Sequence, residues 1–333
     1  MQPLQYTRVQ TAAEAVQAFS GASGQARYIA GGTTLYDLMK LGVERPTHLI
    51  DIADLEGSTR IETQGDRLFF GAGARMADVA EHEVVRRDYP VLAQSLSKAA
   101  SQQLRNMASV GGNLMQRTRC LYFRNGAGGI YPCNKREPGS GCAAIGGLDR
   151  GQAVLGTSSS CTAVSPGDWP VALTALDAVV EVLGPSGIRM VPIVDFYRLP
   201  EATPHIEFNL TPGEVVTGIS VPKTKAGRRS TYHKIRDRES FAFALASAAV
   251  ALSMDGDRIE RAHIAIGGMV TRPWRALETE AQLEGQRLTY DHAIAAARAA
   301  FATARAGSQN GFKIELGART LADAIMIAAG RSA

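Results

Sequence analysis

Four cysteines are the most unevenly distributed reactive side chains of this 333-residue sequence. Cys120, Cys133, Cys142 and Cys161 lie within 42 residues, separated by 12, 8 and 18 residues. Four thiolates are the usual ligands of a 4Fe–4S cluster, but the spacing is not that of a ferredoxin and lacks the paired C-x2-C of zinc ribbons. The residues therefore leave four interpretations open: an iron–sulfur cluster, a zinc ion, two disulfides in an exported protein, or free structural thiols.

Two glycine pairs form a second candidate site. Gly31-Gly32 stands between a predicted strand and a predicted helix, where unpaired backbone N–H groups and the helix dipole can bind a phosphate. Gly111-Gly112 is followed by Asn113, whose amide donates and accepts at once and so suits the polar edge of a heterocycle. Neither loop has the Walker A or Rossmann pattern, and each alone fits an ordinary turn. Together they predict a dinucleotide that is held from two sides.

The elements that must position these residues are readable in the first hundred residues. Hydrophobic periodicity predicts strand, helix, strand, helix and strand over residues 4–52, a hairpin over 60–71, and helices near 76–85 and 91–100. Periodicity is then lost from residue 106 to residue 168, the segment that holds all four cysteines. A loop of this length inside a compact domain is usually functional.

After residue 168 the pattern is regular again. A helix is predicted at 169–176 and a strand at 178–183, and a polar connector at 222–227 places a domain boundary near residue 225. Three strands are expected beyond it, at 230–236, 242–252 and 261–266, followed by helices at 274–283, 291–304 and 321–329. The strands suit a three-stranded antiparallel sheet.

Composition excludes several classes of protein. A length of 333 residues favours two packed units rather than one core. The net charge of +4, from 36 basic and 32 acidic residues, is too small and too evenly spread for a nucleic-acid or membrane surface. No apolar stretch is long enough to span a bilayer, and the N-terminus lacks a basic region before an apolar run, so no signal peptide of its own is predicted.

The two glycine loops together resemble the paired FAD signatures of the medium subunit of bacterial molybdenum hydroxylases, the family that includes the flavin domain of xanthine dehydrogenase. The matching segments are 30–35 and 108–114 for the loops, 165–173 for the family's Pro-x-Asp segment and 232–238 for its lysine strand. The resemblance implies an α+β fold with a two-lobed PCMH-type FAD-binding domain at 1–224. It also implies a cysteine-rich insertion at 116–161 and a small α/β C-terminal domain at 225–333, like that of the CO dehydrogenase flavoprotein, with the three-stranded sheet.

The same resemblance assigns FAD contacts residue by residue. It implies that backbone amides wrap the pyrophosphate at Ala30, Gly31, Gly32, Thr33, Thr34 and Leu35. It implies contacts with flavin and ribityl atoms at Ser109, Gly112 and Asn113. Asp168 would accept hydrogen bonds from sugar hydroxyls, Val216 would pack beside the flavin, and Lys234 would reach the isoalloxazine edge. Many relatives have an acidic residue after the lysine strand, where this chain has Ser240-Phe241.

The cysteine insertion is similar to that of periplasmic aldehyde oxidoreductase flavin subunits and, more distantly, of 4-hydroxybenzoyl-CoA reductases. This similarity implies a 4Fe–4S cluster held by the four cysteines. Arg117, Arg119, Lys135 and Arg136 are then expected to offset the negative charge of the cluster.

The resemblance implies an electron-transfer subunit. An aldehyde would be hydroxylated at the molybdenum cofactor of a large subunit, and electrons would pass through 2Fe–2S clusters of a small subunit to this chain's FAD and then to an external acceptor. No part of the chain is expected to bind molybdopterin, so it should not oxidise the substrate alone. We expect a soluble protein that is periplasmic by co-export with a twin-arginine-tagged partner, or otherwise cytoplasmic.

Two alternatives come from other classes. A self-sufficient FAD oxidase of the vanillyl-alcohol type would be supported by a covalent attachment residue near the first loop and a large substrate domain, and the sequence has neither. A zinc-stapled interaction subunit without flavin would be colourless.

Overall fold

The N-terminal lobe is a small parallel sheet. The computed structural model describes residues 3–22, 24–126 and 128–331, so that six residues of the expected domains, at positions 1, 2, 23, 127, 332 and 333, lie outside the described residues. The strands, in the spatial order β1-β3-β2, are Gln5–Arg8 (β1), Ala26–Ile29 (β2) and His48–Asp51 (β3). The connecting helices are Ala12–Gly21 (α1) and Leu35–Lys40 (α2). Thr11 and Glu14 cap α1 reciprocally. The predicted order of elements is confirmed here.

The second lobe is a five-stranded antiparallel sheet with spatial order β4-β5-β8-β6-β7. Its strands are Ile61–Gln64 (β4), Arg67–Gly71 (β5), Val179–Gly184 (β6), Gly187–Pro192 (β7) and Val215–Pro222 (β8). Helices in this lobe are Met76–Glu81 (α3), Glu83–Asp88 (α4), Pro90–Ser97 (α5), Trp169–Ala175 (α9) and Ile193–Phe196 (α10). Strand β8 hydrogen-bonds to both β5 and β6 and so joins the two hairpins. Strands β7 and β8 are not predicted from the sequence.

The segment 106–168, expected to be without regular structure, contains short helices. They are Val110–Leu114 (α7) and Leu121–Arg124 (α8), and Gln102–Met107 (α6) runs into its start. Each is six residues or fewer, which is too short to show helical periodicity in the sequence. The expectation of an irregular segment is therefore wrong in part.

The C-terminal sheet has four strands in the described residues, so the expected three-stranded sheet is wrong. The order is β12-β11-β10-β9, formed by Ser230–Ile235 (β9), Ala246–Asp255 (β10), Arg258–Gly267 (β11) and Trp274–Arg275 (β12). The two residues of β12 were read as the start of a helix, because a strand this short shows no alternation. The helices are Leu277–Leu283 (α11), Tyr290–Ala299 (α12) and Phe312–Ala329 (α13), and Lys225–Gly227 forms a 3-10 turn.

Two large hydrophobic cores hold these parts together. The first lies under the five-stranded sheet and includes Tyr232 and Ala249 from the C-terminal sheet. The second lies between that sheet and α12 and α13, and it includes Val154 and Leu155 from the cysteine segment. Two residues of the cysteine segment are therefore part of the core of the C-terminal unit. Within the described ranges, no helix is both long and apolar enough to cross a bilayer.

Helix α13 contains a buried lysine, Lys313, near its N-terminus. This lysine interrupts the apolar pattern, so the sequence predicts the helix only from residue 321. Lys313 is 1% exposed, and its Nζ donates to the carbonyls of Gly151 (3.3 Å) and Gly268 (3.1 Å). Burial lowers the pKa of Lys313 to about 8, with a further lowering by Arg150 that Asp237 opposes.

This lysine predicts a stability gain at alkaline pH. The unfolded lysine titrates near 10.4, so between about pH 8 and 10.4 the unfolded state holds a proton that the folded state has lost. The free energy of unfolding should therefore rise with pH in that window, by roughly 3 kcal/mol in total, relative to Lys313→Met. Urea unfolding of both proteins between pH 7 and pH 10 measures this difference. A difference that stays flat or falls would show that the buried amine remains charged.

Candidate functional site

The two glycine loops meet in the fold. Gly31 lies against the segment that leads into the second loop, and a Cβ built on Gly31 would stand 1.9 Å from the Met107 carbonyl oxygen and 3.3 Å from Ala108 Cα. No side chain fits at that contact. Gly32 adopts a positive φ of 70°, which a residue without Cβ takes readily. The predicted convergence of two loops about 80 residues apart is confirmed.

The two loops differ in what their backbone amides do. In the part of the chain that the structure describes, the amides of residues 31–35 donate no hydrogen bond to a backbone carbonyl. In the second loop the amides have partners within the protein: Val110 donates to Ala74 (2.8 Å), Gly111 to Ala72 (2.9 Å) and Gly112 to the Ser109 hydroxyl (3.1 Å). The unpaired N–H groups of the first loop are therefore available to an anion, and the hydrogen-bonded second loop lies beside them.

Asn113 carries the strongest single sign of a missing polar partner. It is buried, its Nδ2 lies 3.3 Å from Met76 Sδ, and its Oδ1 has no hydrogen-bond partner among the described residues. A buried acceptor without a partner costs free energy, so this oxygen suits a donor on a bound molecule. Unpaired amides, a contact between the two loops that leaves no room for a Cβ at Gly31, and an unpartnered acceptor together fit the expected FAD.

Val216 lies in β8 close to the second loop. It pairs with Val182 next to a β-bulge, and the following residue, Thr217, accepts a hydrogen bond from the Ala72 amide (3.0 Å). Because the Ala72 carbonyl in turn accepts from Gly111, the bulge is hydrogen-bonded through one residue to the second loop. The assigned contact between Val216 and the flavin stays a prediction.

Asp168 and Lys234 are brought together as a buried ion pair. Lys234 Nζ lies 2.7 Å from Asp168 Oδ2 and 3.0 Å from the Lys98 carbonyl, and the Tyr232 hydroxyl donates to Asp168 Oδ1 at 2.6 Å. Burial raises the pKa of Asp168, and the Lys234 charge opposes that rise. Both residues were expected at FAD, and the structure shows them bound to each other across 66 residues of sequence. Their assigned cofactor contacts stay predictions.

This pair predicts a stability result that does not depend on cofactor. Lys234→Met should leave an uncompensated buried carboxylate and lower the free energy of unfolding by about 3–5 kcal/mol. The double variant Asp168→Asn, Lys234→Met should recover most of that loss, because a neutral amide can still accept from Tyr232. Urea unfolding of the FAD-free proteins measures both. Equal losses in the single and double variants would show that the two side chains do not interact.

All four cysteines line one cavity and are free thiols. Phe123, Pro132 and Gln152 also face it. Burial raises the pKa of Cys120, and it raises that of Cys161 to about 11. Among the described residues, no three His, Cys, Asp or Glu side chains are grouped so that they could hold a metal ion.

The basic residues of the insertion bind carboxylates and carbonyls. Arg117 lies 2.5 Å from both Glu44 and Glu207, and Lys135 lies 3.0 Å from Glu207. Of the four cations expected to offset a cluster, only Lys135 lines the cysteine cavity. Arg117 and Arg119 bind carboxylates outside the insertion, whereas Arg136 donates to carbonyls of Tyr122 and Tyr131 within it. That these three cations offset a cluster stays a prediction.

Helix α2, which starts at the first glycine loop, is itself fastened to the cysteine segment. Arg119 and Arg124 both bind Asp37 of this helix, and Leu38 packs with Phe123 and Cys133 in a small separate core. This contact is not predicted from the sequence. An acidic residue one helical turn beyond a glycine loop gave no sign of a partner more than 80 residues away.

Comparison with known proteins gives the family. The family described as "FAD binding domain in molybdopterin dehydrogenase" matches residues 2–224, and "CO dehydrogenase flavoprotein C-terminal domain" matches residues 230–326. The chain is 46% identical over 328 residues to the aldehyde oxidoreductase FAD-binding subunit of Escherichia coli, covering 98% of each chain. It is 27% identical to the carbon monoxide dehydrogenase medium chain of Afipia carboxidovorans, covering 91% of this chain and 88% of that one. The solved carbon monoxide dehydrogenase of Hydrogenophaga pseudoflava shares the fold, with a TM-score of 0.77 at 24% identity over 100% and 99% of the chains.

Proposed function

The chain belongs to the molybdenum hydroxylase family as the FAD-binding medium subunit of an oxidoreductase complex, and on that basis we propose that it carries electrons from aldehyde oxidation through FAD and also holds a 4Fe–4S cluster. A large subunit with the molybdenum cofactor and a small 2Fe–2S subunit complete the proposed complex. An external acceptor takes the electrons.

The observation that carries the flavin assignment is the meeting of the two loops. Gly31 and Gly32 let the backbone approach a pyrophosphate, and the unpaired amides of residues 31–35 neutralise its charge. Asn113 offers its unpartnered oxygen to a donor on the cofactor. FAD, when bound, supplies hydride and one-electron chemistry, while the protein supplies orientation and electrostatics.

The cluster assignment is supported by the arrangement of the four thiols around one cavity. Each iron of a 4Fe–4S cluster takes one cysteine, so the ligands must surround a volume rather than converge on one point. The cavity walls include Phe123 and Ala144, which exclude water from such a group. The raised pKa values of Cys120 and Cys161 disfavour free thiolates, whereas a bound metal deprotonates its thiol ligands outright.

The test uses the purified chain alone and in complex with both proposed partners. The isolated chain should show flavin absorption and a broad iron–sulfur shoulder, and an aldehyde should leave its flavin oxidised. With the large and small subunits added, the same aldehyde should bleach the flavin. Bleaching in the isolated chain would instead favour a self-sufficient oxidase, and a colourless chain that holds one zinc ion would favour the interaction subunit.

A further inference from the structure

One buried amide side chain on the wall of the cysteine cavity contacts a thiol directly. Gln152 Nε2 lies 3.4 Å from Cys120 Sγ, and Gln152 is 5% exposed. We propose that Gln152 donates an N–H···S hydrogen bond to the Cys120 thiolate and thereby raises the reduction potential of the cluster. We further infer that the C-terminal unit holds Gln152 in place. This inference rests on the proposed 4Fe–4S cluster.

The direction of the effect follows from charge. Reduction adds one negative charge that spreads over the cluster and its thiolate sulfurs, and a hydrogen-bond donor stabilises the more negative state more strongly. A neutral amide can do this without adding a buried cation. The carbonyl oxygen of Gln152 has no hydrogen-bond partner among the described residues, so no other polar contact of the side chain competes with the sulfur contact.

Gln152 reaches Cys120 from a distant part of the insertion. It lies 32 residues later in the chain, and its Nε2 is 3.4 Å from the Cys120 sulfur. The sulfur of Cys161 differs, because it accepts from a backbone amide, that of Ala163, at 3.5 Å. A side-chain donor can be removed by substitution, so the contact with Cys120 can be tested directly.

The segment that carries Gln152 is held by the loop before α13. Asn310 Nδ2 donates to the carbonyls of Gln152 (3.3 Å) and Ala153 (3.2 Å). Asp149 accepts from the amides of Ser308 (2.6 Å) and Gln309 (2.7 Å). These bonds and the Lys313 contact with Gly151 fix the backbone on both sides of Gln152. A side chain that acts on a cluster must be held in this way to keep its distance to the sulfur.

The loop before α13 packs tightly against Asp149 at Gly307. A Cβ built on Gly307 would stand 2.0 Å from Asp149 Oδ2. Asn310 is 2% exposed, and its own Oδ1 accepts from the Gly307 amide at 2.7 Å. Gly307 and Asn310 of this loop therefore fit closely against the segment of Asp149 and Gln152. Through this contact the C-terminal unit holds Gln152 beside Cys120.

The experiment is an EPR-monitored redox titration of the cluster in the full chain with FAD and iron bound. In Gln152→Leu the equilibrium constant for cluster reduction should fall about tenfold, which is a decrease of about 59 mV for one electron. Iron content, FAD content and the flavin potential should stay at wild-type values. Thr162→Val is the matched control, because Thr162 Oγ1 is buried next to Cys161 without a hydrogen-bond partner among the described residues. It should leave the cluster potential unchanged.

The outcomes separate this inference from the proposed cluster. If the wild-type chain holds no iron, both are overturned. If Gln152→Leu keeps its iron and its cluster potential is unchanged, the tuning role is wrong and the cluster stands. If Gln152→Leu loses its iron, Asn310→Ala decides: a lowered potential with iron retained supports the inference, whereas an unchanged potential or loss of iron shows that this segment is structural.

Discussion

Gly31→Ala is expected to abolish FAD retention. The new methyl group would stand 1.9 Å from the Met107 carbonyl oxygen, so the two loops must move apart by more than an ångström. The amides of residues 31–35 would then no longer face the wall formed by the second loop, and we expect FAD affinity to fall at least a hundredfold, or about 3 kcal/mol. FAD released on denaturation, per chain, and calorimetric titration of the FAD-free protein measure the effect.

Two further variants separate this result from general misfolding. Gly21→Ala in the same lobe should retain FAD, because its Cβ meets nothing within 4 Å. Gly32→Glu has room for its Cβ, 3.6 Å from Ile29 Cδ1, but it places a carboxylate against the expected pyrophosphate. It should lose FAD, whereas Gly32→Ala, with the same backbone strain from a positive φ, should lose less. Full FAD content in both Gly31→Ala and Gly32→Glu would place the pyrophosphate elsewhere.

Replacement of any one of Cys120, Cys133, Cys142 and Cys161 by Ser is expected to remove most of the iron of the chain. The four residues are held around one cavity by a 42-residue segment, and metal–thiolate bonds would offset the entropy of closing it. Iron and acid-labile sulfide should fall from about four per chain to less than one. Ser160→Ala, which changes a non-ligand on the same cavity wall, should keep the cluster.

The cysteine variants also test a link between the two sites. Cys133 packs with Leu38 of α2, so loss of the cluster should loosen the helix that follows the phosphate loop, and FAD content should fall together with iron. Disulfides predict instead that the cysteines fail in pairs and that iron is absent from the start. A single zinc ion predicts one metal per chain without visible absorption. Fewer than about two irons in the wild-type chain would contradict the cluster.

Local features of the sequence predict the parallel lobe and both candidate sites. The parallel lobe was predicted element by element because each part has its own short-range signal, such as Thr11, a typical N-cap residue, directly before α1. The two glycine pairs and the four cysteines identified both candidate sites, because residues with special backbone freedom or reactive sulfur are informative even without a partner. The family resemblance then joined these signals in one order along the chain.

Only the tertiary structure determines which charged and polar groups become partners. In the sequence Arg117 is a cation near the cysteines, and the fold places it between Glu44 and Glu207, 73 and 90 residues away. Lys234 and Asp168 are expected as separate cofactor residues, and the fold pairs them in a buried site. An ion pair needs two opposite charges within a few ångströms, and the fold decides which charged residues come that close, so residue type alone does not predict the partner.

The same reason explains the elements that were missed. Strand β12 is two residues long and exists because Trp274 and Arg275 pair with β11, a long-range contact that leaves no periodicity in the sequence. Nothing in the sequence marks Gln152 among the residues of its glycine-rich segment. Its place beside Cys120 depends on Asn310, 158 residues later, which holds its backbone. The sequence alone determined which residues could do chemistry and their order along the chain. Only the packing of distant segments decided which of them touch, because contact energies depend on separations in space that the spacing along the chain does not set.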